Sequence, residues 1–280
     1  MKDLPDLPDL RILPMDALRA HEEADQARSV PLVESLRSDG VLRNPPLVLP
    51  MGGHPERYVV LDGANRTLAF RMLELPHVLA QVVHAGDSSV QVETWNHVLL
   101  EGGSDRLLEA LVEIPEIALV PSDADRAAYE LSAGGTLAFL SLPGNRVFEV
   151  VGETDPLELR LRNIDFLVQG YLDQVPIQRT SARSVDEIAR LLPGASGLVV
   201  FRRFEVEEIV AAVAMGRLLP SGLTRFVVSP RALRVNYPLE RLAADDPLGA
   251  KQEQLEAWIR ERVANHRVRF YAESTFLFDE

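Results

Sequence analysis

Three stretches of this sequence carry residue types at spacings that could do chemistry. The first is Asp62-Gly63-Ala64-Asn65-Arg66-Thr67, which follows an apolar, partly β-branched run at residues 58–61 and precedes Leu68, Ala69, Met72 and Leu73 at helical spacing. A strand, an Asp-Gly turn and a helix in that order aim the first helical amides, and the positive end of the helix dipole, beyond the turn. An anion such as a phosphate suits that place, with Asp62 and Arg66 flanking it. An ordinary strand-to-helix connection with a solvated arginine suits the same residues. The second stretch, residues 216–228, has a turn signal at Ser221-Gly222, and Thr224 and Arg225 then open a strand, so a hydroxyl and a guanidinium stand at a strand entrance. The residues alone favour a helix-ending turn whose Ser and Thr merely satisfy backbone groups. The third is His21-Glu22-Glu23-Ala24-Asp25. It matches a zinc-protease helix for two positions, but Asp25 stands where the second histidine belongs. None of the six histidines has paired ligand spacing, so zinc is not expected.

Composition removes other chemistries. The 280 residues contain no cysteine, which excludes disulfides, thiolate metal sites and a cysteine nucleophile. A net charge of −13 repels a nucleic-acid backbone, so nucleic acid is not an expected partner. The basic residues are almost all arginine, the lysines being Lys2 and Lys251, and neither a P-loop Gly-Lys-Ser/Thr nor a kinase-type strand lysine is present. Phosphate, if bound, must be met by arginine, backbone N–H and a metal ion. No apolar run approaches the roughly 20 residues that span a bilayer, and the N-terminus lacks a secretory pattern, so a cytoplasmic location is expected. Both a monomer and a homodimer fit these properties.

The elements that must position these residues form an α+β pattern. A helix is predicted after Ser29 as a cap, with Pro31 in its first turn and Gly40 past its end. Strands are predicted at residues 47–49, 58–61 and 78–83, with the helix after Asp62 between the last two. A polar interval at residues 101–105 marks the expected boundary between a domain at 1–103 and a second one at 104–280. The second is read as strands at 117–120, 136–142, 147–151, 175–179 and 197–204 with helices at 156–174, 184–192 and 205–215. A long amphipathic helix at 245–265 and a final strand at 268–278 follow.

Taken together, His21-Glu22, Asn44-Pro45-Pro46 with Asp62-Gly63-Ala64-Asn65-Arg66, and Pro220-Ser221-Gly222-Leu223-Thr224-Arg225 resemble the free L-serine kinases of the ParB/sulfiredoxin superfamily, closest to the siderophore-biosynthesis type. The resemblance spans nearly the whole chain, including residues 271–280. It implies a kinase that makes O-phospho-L-serine from free L-serine with ATP or ADP and Mg²⁺, supplying amino-acid or siderophore biosynthesis. It also implies a nucleotide-binding ParB/sulfiredoxin-like N-terminal domain, a second α+β domain completing the substrate pocket, and an active site in the cleft between them. Carried over residue by residue, Glu22 is the catalytic base, and Asp62 a catalytic residue and Mg²⁺ ligand. Gly63, Ala64, Asn65, Arg66 and Thr67 hold the nucleotide phosphates. Trp95 and His97 belong to the serine pocket, and Ser221, Thr224 and Arg225 hold the amino-acid carboxylate or product phosphate. The chemistry agrees, since transfer to a hydroxyl needs in-line geometry, neutralised phosphate charge and a carboxylate to take the proton. Glu23 is the alternative base one residue on. Sulfiredoxin chemistry needs a cysteine where this chain has Ala64 or Asn65. The alternative is a ParB-like nucleotide-binding regulator, whose DNA-reading helix would fall at residues 205–215 with Glu205, Glu207 and Glu208 facing phosphates badly.

Overall fold

The computed structural model describes residues 6–24, 26–84, 86, 90–100, 103–172, 175–189 and 192–271. They form two compact units, neither contiguous in sequence: residues 1–19, 26–87 and 228–280 make one, and residues 20–25 and 88–227 the other. The boundary expected at 103/104 falls instead inside the second unit, at the first residue of the helix Gly103–Val112. The C-terminal residues return to the first unit because their apolar side chains are part of its core.

The first unit is built on a five-stranded mixed sheet in the order Leu10–Pro14, His77–Val82, Leu47–Met51, His54–Asp62 and Leu18–Ala20. Val48, Val60, Val78 and Leu79 from these strands are fully buried together with Phe70 of the helix Ala64–Met72. The antiparallel register pairs Leu47 with Asp62, so the end of the His54–Asp62 strand lies beside the residues that lead into Leu47. The amide of Gln81 donates to the Pro46 carbonyl at 2.9 Å and ties that lead-in to the neighbouring strand. The helix Gln26–Asp39 starts before Ser29, which is buried within it and does not cap it, and Pro31 lies more than a turn inside. Gly40, at φ +65°, ends it as expected.

The second unit holds a six-stranded antiparallel sheet in the order Ile177–Thr180, Asn96–Leu100, Ala195–Phe201, Ala138–Leu142, Arg146–Val151 and Ala118–Ser122. Helices cover it, and a separate two-stranded ribbon pairs Thr224–Val228 with Val90–Thr94. Two helices were absent from the sequence-based reading, Gly103–Val112 and Ala124–Ala133. The second had a legible start and stop: the Asp123 carboxylate accepts the Arg126 amide at 2.9 Å, and Gly134 closes the helix at φ +81°. Residues 268–271 are not a strand, and the remainder of the one expected at 268–278 lies outside the described residues. No helix among the described residues is long and apolar enough to cross a membrane.

The return of the chain to the first unit is anchored by the helix Leu248–Ala264, whose Leu255 and Trp258 are buried, Trp258 edge-on to buried Tyr237 at 5.3 Å between ring centroids. Truncating a buried tryptophan removes its transfer energy and leaves a cavity, so Trp258→Ala is expected to lower stability by about 3–5 kcal/mol in urea unfolding. A loss below about 1 kcal/mol would mean that this helix is not integral to the first unit's core.

Candidate active site

The expected site residues fall into two groups, one in each unit. In the first unit the strand His54–Asp62 delivers Asp62, and Gly63 turns the chain into the helix Ala64–Met72 at φ +100°. Only glycine suits this position, because the φ is left-handed and a Cβ would come within 3.1 Å of Pro46 Cβ and 3.2 Å of the Arg66 guanidinium. Ala64, Asn65 and Arg66 form the first turn of that helix, and Thr67 N donates to Gly63 O at 2.8 Å.

Arg66 is not simply solvated. Its guanidinium donates to the Asn44 carbonyl, to Pro45 O at 3.3 Å and to Asp62 Oδ2 at 3.0 Å, so it clamps the Asn44-Pro45-Pro46 turn against the Asp62 turn. A second guanidinium, missed in the sequence, shares the work. Arg231 Nη2 donates to Asp62 Oδ2 and to Pro45 O, both at 2.8 Å, while Nη1 reaches Gln81 Oε1 at 3.1 Å. Nothing local marked Arg231, which stands 169 residues from Asp62 in an irregular loop. Partial burial works against the Asp62 charge, but Arg66 and Arg231 outweigh it and hold the carboxyl below its ordinary range.

In the second unit Glu22 lies beside Leu219 in a parallel bridge, fixed by Leu219 N to His21 O at 2.9 Å and Glu23 N to Leu219 O at 3.0 Å. This register settles which acid faces the Ser221-Gly222 turn. Glu22 Oε2 accepts the Gly222 amide at 2.9 Å and lies 3.5 Å from the Thr224 hydroxyl, whereas Glu23 is exposed. His21 is buried and places Nε2 2.7 Å from Thr224 Oγ1, with Phe226 edge-on to its ring. Arg225 stacks over the Trp95 ring at 4.8 Å and pairs with Glu93 at 3.1 Å, and Trp95 N donates to Leu223 O at 2.9 Å. Glu22, Trp95, Ser221, Thr224 and Arg225 are therefore close neighbours along one turn and ribbon.

His97 has a different setting. It is fully buried in the interior strand Asn96–Leu100, with Nδ1 2.6 Å from the Tyr171 hydroxyl and Phe201 edge-on to the ring. Arg179 is its cross-strand partner. Burial and the Arg179 charge lower His97 to about 4 against the opposing pull of the Gly222 backbone, so the ring is neutral near pH 7. Among the described residues there is no group of three or more His, Cys, Asp or Glu side chains that could hold a metal ion.

No protein-family model matches the chain. It is similar to an ATP-dependent L-serine kinase, SbnI, of Staphylococcus aureus, 24% identical over 284 residues and 97% of each chain. It is also similar to an ADP-dependent L-serine kinase, SerK, of Thermococcus kodakarensis, 22% identical over 242 residues, 84% of this chain and 93% of the other. Among solved structures, C-terminally truncated SbnI from Staphylococcus aureus superposes with a TM-score of 0.72 at 23% identity, covering 92% of this chain and 97% of the other. A free serine kinase in complex with AMP superposes with a TM-score of 0.70 at 17% identity, covering 85% and 95%. The mixed α/β fold is thus shared with these proteins.

The buried imidazole has a consequence for stability. An unfolded histidine binds a proton near pH 6.5 and the folded one only near 4, so between these values the unfolded state holds more protons and stability rises with pH. The stabilisation is complete above pH 6.5 and is lost progressively down to about 4, on the order of 3 kcal/mol in all. Urea unfolding across this range is expected to show that slope, and His97→Phe to flatten it whatever its effect on absolute stability. An unchanged slope in the variant would contradict the assignment.

Proposed function

We propose that this chain is a nucleotide-dependent kinase that transfers a phosphoryl group to the hydroxyl of free L-serine, forming O-phospho-L-serine. The observation that carries the reading is Glu22, an acid held at 2.9 Å by the Gly222 amide beside the Thr224 hydroxyl, in a fold shared with serine kinases. The donor is ATP or ADP, as in the relatives named for each.

In this reading the Glu22 carboxylate accepts the serine hydroxyl proton as the phosphoryl group transfers. The Gly222 N–H and the Thr224 hydroxyl keep it oriented, and His21, bonded to Thr224, fixes that hydroxyl in turn. Ser221, Thr224, Arg225 and Trp95 are the groups we assign to the amino acid, a zwitterion whose carboxylate suits a guanidinium and whose ammonium suits an aromatic face or acid. His97, which the resemblance assigns with Trp95 to the serine pocket, is neutral and enclosed. The turn Gly63, Ala64, Asn65, Arg66 and Thr67 receives nucleotide phosphates on helical amides.

Magnesium is the expected companion of the nucleotide. Asp62 fits it in part: Oδ2 already accepts from Arg66 and Arg231, and Oδ1 is the oxygen that can meet a cation taking its remaining ligands from phosphate and water. Bound there, the ion would neutralise charge on the transferring phosphate. A DNA-binding regulator finds less support, because the helix Val206–Ala214 carries Glu207 and Glu208 in its first turn and Glu205 and Glu208 in its capping box.

Incubating folded protein with L-serine, Mg²⁺ and either ATP or ADP is expected to yield O-phosphoserine by mass spectrometry with at least one nucleotide. Absence of product with both would overturn the reading.

A further inference from the structure

The turn that holds the proposed base has firmly tied ends. Leu219 is bonded through its main chain to His21 and Glu23, and Leu223 O accepts the Trp95 amide at 2.9 Å. Between them lies the Ser221-Gly222 peptide, whose N–H reaches Glu22. A side chain packed on this middle segment is Arg179, from the edge strand Ile177–Thr180. Gly222 is left-handed at φ +76°, and a Cβ there would run into Cζ, Nη2 and Nε of Arg179 together, so the planar fork of the guanidinium lies flat across the glycine. Nη2 also donates to Ser221 O at 3.3 Å. The strand register that pairs Arg179 with buried His97 fixes where this fork emerges.

We infer that Arg179 is a positioning residue for the base: stacked on Gly222, it fixes the turn whose amide orients the Glu22 carboxylate. The inference rests on the kinase reading. It explains why position 222 is glycine, since both its conformation and the overlying guanidinium exclude a side chain. It also requires arginine in particular, because a lysine ammonium is a point charge with no flat face to lay on a peptide. Displacing a catalytic group by about 1 Å can cost on the order of 100-fold in rate, so a residue that never touches substrate can still control turnover.

The test is a cycle of O-phosphoserine formation by the parent, Arg179→Ala, Glu22→Gln and the double variant, with Arg179→Lys in parallel. Arg179→Ala is expected to lower kcat about 10-fold or more while leaving the nucleotide KM within about twofold, since the nucleotide groups lie elsewhere in the chain. Added guanidinium ion is expected to restore part of the loss. In the Glu22→Gln background the same substitution should do nothing further, because the group it positions can no longer accept a proton. Arg179→Lys, which keeps the stem and charge, is expected to lose turnover as well, and covers the case in which the alanine variant does not fold. An active parent with an unimpaired Arg179→Lys, or losses that multiply with Glu22→Gln, overturns this inference alone. A parent that forms no phosphoserine overturns the kinase reading and the inference with it.

Discussion

In the proposed mechanism, the hydrogen bond from the Gly222 amide to the Glu22 carboxylate is the interaction through which the rest of the second unit acts on chemistry. Its value lies in the kind of donor. A proton acceptor must be oriented without being neutralised, and an amide and a hydroxyl orient a carboxylate while bringing no full positive charge. Asp62 is in the opposite situation, sharing one oxygen between two guanidinium groups that hold it in its ionised form. On the kinase reading we propose, the two environments suit two tasks, proton transfer for Glu22 and charge organisation for Asp62.

Both environments depend on contacts across long spans of chain. Glu22 meets Gly222 because a parallel bridge sets residues 21–23 against Leu219, and Asp62 meets Arg231 because residues 228–280 fold back onto the first unit. That return is paid for by apolar burial: Tyr237, Leu242 and Leu255 are fully buried in the same core as Val60 and Phe70. Gly63 and Gly222 are both left-handed: at Gly222 the Arg179 guanidinium leaves no room for a Cβ, and at Gly63 a Cβ would press on Pro46 and the Arg66 guanidinium at 3.1–3.2 Å.

Local structure was readable from the sequence at several places where a turn residue and a periodic run met, though not at the capped helix Ala124–Ala133. Asp62-Gly63 at the end of a strand, Gly40 after a helix and Thr224 opening a strand are all as the residue types imply. The fold class and the similarity to serine kinases were legible for the same reason, carried by short motifs with defined turn geometry. What was hidden depends on tertiary pairing. The discontinuous make-up of the two units has no local signature, because a helix such as Leu248–Ala264 shows which face is apolar but not which core receives it. Arg231 and Arg179 are two arginines among 29 basic residues, and only the strand and loop positions around them reveal what they touch. His97 is assigned to the serine pocket by resemblance, and the structure gives it an enclosed setting in an interior strand beside Tyr171.

The claim that Glu22 is the base is tested most directly by Glu22→Gln, which keeps an oxygen for the Gly222 amide and removes the ability to take a proton. Nucleotide affinity and O-phosphoserine turnover are measured on the same preparation. The account predicts parental nucleotide binding with turnover reduced on the order of 100-fold or more. Near-parental turnover with intact binding would contradict it and move the proton to another group.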